Sequence, residues 1–109
     1  HTFIAMLFSS VTGISKGGSY TGTASQLQLR GLGFTPRFLL VKRVDGTGNW
    51  VVFDTTRGWG SGDDKKIFIN SNAAQTTQDV GDPVSSGGGG FDLYSGNNTG
   101  LSYVYYAHA

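Results

Sequence analysis

Two apolar runs separated by a four-residue break constrain this chain most: Arg37–Val44 and Asn49–Asp54 flank Asp45-Gly46-Thr47-Gly48. A short loop whose glycines can supply positive φ is what a type I turn with a bulge needs, so the pair predicts a β-hairpin. Both arms carry apolar side chains at both parities: Phe38, Leu40 and Val44 against Leu39 and Val41, and Trp50 and Val52 against Val51 and Phe53. A strand buried on one face alternates apolar and polar residues, whereas one covered on both faces does not. The hairpin is therefore expected to be central. Phe38, Leu40, Val41, Trp50, Val52 and Phe53 form the expected core, with Asp45–Gly48 as the exposed tip.

The rest of the chain reads as turns and short strands. Its 18 glycines, and acids that are all Asp, leave few helix formers. Glycine costs about 1 kcal/mol inside a helix, and Asp and Asn favour turns. Gln26–Arg30 alternates with period two, Lys66–Asn70 and Phe91–Tyr94 are short strand candidates, and Ser102–Ala109 is the last. Asn72–Asp82 is polar and reads as a loop or a single helical turn, and Ser85–Gly90 as a flexible spot. With Thr2–Phe8 this makes about seven short strands, which predicts an all-β fold, an antiparallel β-sandwich.

The last run, Ser102–Ala109, resembles the first, Thr2–Phe8, about one chain length earlier. This predicts one period of a tandem array of modules of roughly 100 residues. Residues 1–109 then form a single sandwich module, in which 1–22 are the closing strand and linker of a preceding one. The alternative is a fold that begins and ends on similar strands.

With 109 residues there is room for one core without metal or disulfide support, in line with the absence of cysteine. A net charge of +1 with no basic tract predicts neither nucleic acid nor an anionic membrane as a partner. No apolar run reaches the length of a transmembrane helix, and nothing resembles a signal peptide.

Catalytic and metal chemistry find little support. Gly13-Ile14-Ser15-Lys16-Gly17 matches a nucleophile elbow as a string, but no helix follows it. His108 has no second imidazole nearby in sequence, and Asp45, Asp63, Asp64, Asp79 and Asp82 lack the spacing of a calcium loop. No enzyme activity, metal or cofactor is expected. Asn97-Asn98-Thr99 is a formal glycosylation sequon.

Trp59 differs in kind, because it lies in Arg57-Gly58-Trp59-Gly60-Ser61-Gly62. One reading is an exposed indole that stacks on a sugar face, with Arg57, Asp63 and Asp64 for its hydroxyls. The other is a ring folded back as a lid over the sandwich end. Tyr103, Tyr105 and Ala107 share one parity of the last strand, either as an interface or as a half-buried ladder.

Gly33–Arg43, Asn49–Gly58, Gly90–Leu93 and Tyr103–Ala109 together resemble the repeated β module of tail-fibre-like virion proteins of marine and other bacteriophages. Ile14–Gly22 is similar to that family's linker into the next module, while His108 and the Trp59 loop depart from its pattern. The resemblance implies a structural or adhesion module at a virion surface, extracellular, partnered by other virion subunits or copies of itself as a homo-oligomer. Its function would be host-surface attachment through glycan. The alternative is a purely structural capsid-decoration or fibre-shaft module with no ligand. Asp54 and Arg57 are expected to pair and fix the loop after the hairpin.

Overall fold

The computed structural model describes residues 7–23, 25–94 and 100–109. Its strands are β1 (Ser15–Thr21), β2 (Leu27–Arg30), β3 (Phe38–Arg43), β4 (Trp50–Asp54), β5 (Asp64–Phe68), β6 (Thr76–Gln78), β7 (Gly81–Val84), β8 (Gly90–Leu93) and β9 (Ser102–His108). One turn of 3-10 helix, Thr55–Arg57, follows β4. All strand pairs are antiparallel, in a six-stranded sheet of order β1-β9-β3-β4-β5-β6 and a three-stranded sheet of order β2-β8-β7. The fold is all-β, as the turn-rich composition predicts.

The hairpin of β3 and β4 occupies the middle of the larger sheet, with its tip Asp45–Gly48 exposed. Its inner face, Leu39, Val41, Val51 and Phe53, packs with Tyr103, Tyr105 and Ala107 of β9 against Phe91 and Leu93 of the smaller sheet. Leu32, Trp59 and Val80 belong to the same core cluster. The tyrosines are core residues: Tyr20 stacks on Tyr103 at 5.0 Å, and Tyr105 meets Phe91 edge-on at 5.3 Å. Such pairs add to the burial that drives the two sheets together.

The opposite parity of the hairpin faces outward. Leu40 lies directly between Tyr106 and Val52, and Val52 beside Ile67, so an apolar row crosses four strands. Leu40 and Val52 are nonetheless buried, while Phe38 and Trp50, expected in the core, are only half-buried. Part of the cover comes from the chain before β1. Val11 pairs with Ser15, and Phe8 stacks on Tyr106 at 4.2 Å.

Two expectations about the chain's start are revised or fall outside view. Ser15–Thr21, read as part of a linker, is an edge strand paired along its whole length with β9. Most of the run Thr2–Phe8 lies outside the described residues, as does the sequon Asn97-Asn98-Thr99. Two further strands arise where no apolar period announces them. β6 is Thr-Thr-Gln, fully exposed at one edge, and β7 contains Pro83. Proline is tolerated there because β7 is itself an edge strand, with one side of its backbone free of the ladder.

Candidate functional site

The four residues first drawn together as a sugar site do not form one. Trp59 is 2% exposed, its ring 5.7 Å from Phe53, and its Nε1 donates to the Gly81 carbonyl at 3.0 Å. The lid reading is the correct one for this residue. Gly58, at φ 113, ends the 3-10 turn and lets the chain reverse, and the Trp59 N–H donates to Asp54 O, so the ring is carried inward.

Asp64 is likewise buried. Its Oδ2 accepts from the N–H groups of Val80 and Gly81 at 2.8 and 3.0 Å, and its Oδ1 from Gly60 N–H at 3.0 Å. Burial pushes its carboxyl above the usual range, against the pull of those three donors. Arg57 and Asp63 are exposed. Arg57 does not pair with Asp54; it donates to Gln75 Oε1 at 2.6 Å, while Asp54 binds Arg37 at 3.2 Å and caps the 3-10 turn through Thr56 N–H. Ser15, in the serine-containing string, donates its hydroxyl proton to the Ser9 carbonyl and accepts from Val11 N–H, which fixes a turn. His108 stacks flat on Phe38 at 4.7 Å. Among the described residues no group of three or more potential ligands is placed to hold a metal ion.

The arrangement with the chemistry of a binding site is built around Trp50 instead. Trp50 opens β4 and stands directly opposite Lys42 of β3 on the outward face. Both side chains line a cavity of about 350 Å³ whose other walls include Phe8, Leu40, Val104 and Tyr106. Both also line an open cleft of about 680 Å³ bounded by Gly46, Thr47, Gly48, Asn49 and Asn70. The indole thus stands where an apolar cavity meets a polar cleft.

Local hydrogen bonds hold this cleft in shape. Asn70 Oδ1 accepts from Trp50 N–H at 2.9 Å, and Asn70 Nδ2 donates to Asn49 Oδ1 at 3.3 Å. Across the tip, Arg43 Nε donates to Asp45 Oδ1 at 2.8 Å, and Ser102 N–H donates to Asp45 Oδ2 at 3.1 Å. The Arg43 bond, then the Ser102 bond, hold the Asp45 carboxyl below its usual range. The Arg43 guanidinium lies over Gly46, where a Cβ would come within 2.7 Å of it and make it swing aside. The Thr47 hydroxyl and the Asn49 amide nitrogen make no hydrogen bond to the described residues. A half-buried indole, an ammonium, carboxamides and a hydroxyl around one cleft are the groups that recognise a polyol with an apolar face.

A family model described as a domain of unknown function, DUF7483, matches residues 1–109. The chain belongs to this family. No curated protein and no solved structure matches it. The site in this DUF7483 chain therefore has to be read from its own chemistry. Sequence reasoning passed over Trp50 because an apolar hairpin reads as core throughout. The available signal was its parity, shared with Val52 and opposite to Phe53, together with the polar Asn49 beside it.

Proposed function

We propose that this chain is an adhesion module of a phage tail fibre or similar virion appendage, and that it attaches to host-surface glycan with Trp50 as the sugar platform. One observation carries the reading: the Trp50 indole is the shared wall of an apolar cavity and a cleft rimmed by Thr47, Asn49 and Asn70. A pyranose presents one face of C–H groups and a rim of hydroxyls, which that combination complements. The resemblance of the strand pattern to tail-fibre modules supports the setting.

A glycan array probed with the purified chain tests it, with Trp50→Ala beside it. The expected result is selective glycan binding that the substitution removes while cooperative melting is retained. Binding unaffected by Trp50→Ala would overturn the assignment of the site.

A second reading is favoured by Val104 and Ile69, which expose 38% and 44% of their surface on the same outward side. It makes the chain a virion scaffold module that covers this face with another copy. Sedimentation distinguishes the two, since a scaffold self-associates and loses that property when Val104 becomes a charged residue.

A further inference from the structure

We infer that the Trp50 cleft selects acidic saccharides, with the anionic group of the sugar paired to the Lys42 ammonium. The inference rests on the glycan reading above and adds a charge requirement to it. Among the described residues, Lys42 is the only charged side chain lining the apolar cavity or the cleft, and no carboxylate lines either. Lys42 lies in register between Val104 and Trp50, with Leu40 two residues before it on the same face. Its Nζ donates to the Arg43 carbonyl at 2.7 Å, which fixes the ammonium near the tip and leaves its other donors to a ligand. None of the ion pairs among the described residues includes it.

The carboxylate at the hairpin tip, Asp45, is already engaged by Arg43 and Ser102. A half-buried lysine with no carboxylate paired to it among the described residues offers its ammonium to an incoming anion. Residues directly opposite on antiparallel strands hold their Cβ atoms roughly 4.5–5.5 Å apart. A hexose ring lying on the indole therefore brings a substituent within reach of Nζ. Both a uronate carboxylate and a sulfate ester meet this requirement.

Calorimetry with defined oligosaccharides tests the inference on the intact chain. The probes are an oligogalacturonate, its methyl ester, a sulfated galactan oligosaccharide and a neutral galactan oligosaccharide. At least one acidic probe is expected to bind about tenfold or more tighter than its neutral counterpart, with an affinity that falls as salt rises; the carboxylate and sulfate arms identify which anion is used. Lys42→Gln should bring acidic binding down to the neutral level, and Lys42→Arg should restore it, which a fold defect would not allow. Equal binding of acidic and neutral probes, unchanged in Lys42→Gln, overturns the charge requirement and leaves the glycan reading standing. Absence of binding to every probe and to a broad glycan array overturns both.

Discussion

The indole of Trp59, on the loop before β5, donates its one proton to the carbonyl of Gly81, the first residue of β7, at 3.0 Å. The Gly81 N–H in turn donates to Asp64, the first residue of β5. One residue of the smaller sheet is thus gripped from both ends by the larger. Apolar contact between sheets is not directional, so a buried polar link of this kind helps fix their relative placement.

Trp59→Ala should therefore lower stability by about 3–5 kcal/mol, as for other large-to-small core changes. Trp59→Phe keeps most of the ring volume but leaves the Gly81 carbonyl without its donor, at about 1–3 kcal/mol. Urea unfolding of the two variants measures both. Wild-type stability in Trp59→Ala would contradict the buried placement.

Gly81→Ala should be as severe. Gly81 has φ 155, and a Cβ there would overlap the Asp92 carbonyl oxygen. Backbone strain and overpacking each cost about 1–3 kcal/mol, so a loss of about 3 kcal/mol or more is expected in the same unfolding experiment. A change below 1 kcal/mol would show that β7 shifts freely against β8.

Acidification should loosen the hairpin tip before the core. The Asp45 carboxyl is held low by Arg43 and Ser102, so its contribution is present above the ordinary carboxylate value and is lost as pH falls through its own lower one. Asp64, raised by burial, has the opposite sign: its contribution is present at low pH and is lost as pH rises through its folded value. Amide exchange followed by NMR should show Ser102 N–H losing protection below about pH 4 while Val80 and Gly81 keep theirs. Simultaneous loss at all three amides would refute this order.

At alkaline pH Tyr94 and Tyr20 should resist ionisation most, and burial raises Tyr105 as well. The hydrogen bond to Asp82, followed by burial, pushes Tyr94 up to about 12. Burial, followed by the neighbouring Tyr103, raises Tyr20 further. Both raised values mean that the stabilisation is present below the ordinary tyrosine value of about 10 and is lost as pH rises through the folded ones. Ultraviolet titration should show these two ionising together with unfolding, and Tyr94→Phe should remove one slow proton. Ionisation of every tyrosine near pH 10 in the folded chain would contradict the packing.

Much of this fold was legible in the residues, and the reasons are local. The hairpin announced itself through apolar arms and a glycine-bearing tip, and β2, β8 and β9 through short apolar runs. β6 and β7 did not, because Thr-Thr-Gln has no apolar period and Pro83 argues against a strand until its edge position is known. The glycines around Trp59 suggested exposure, but glycine supplies freedom to turn in either direction, and here Gly58 turns the ring inward. Trp50 was masked for the opposite reason. A tryptophan in a doubly apolar strand reads as core unless one knows which parity faces the second sheet.

The placement of β9 sets an order of assembly. Ser102–His108 is an interior strand, with β1 on one side and β3 on the other, and it joins Ser15 to His108 across nearly the whole chain. The β3–β4 hairpin forms from neighbours in sequence, but the other edge of β3 has no partner until β9 has been made. Contacts this distant slow folding, and an open apolar edge in the meantime invites pairing with another chain. Loss of β9 therefore severs β1 from the sheet and leaves the central hairpin with a bare flank.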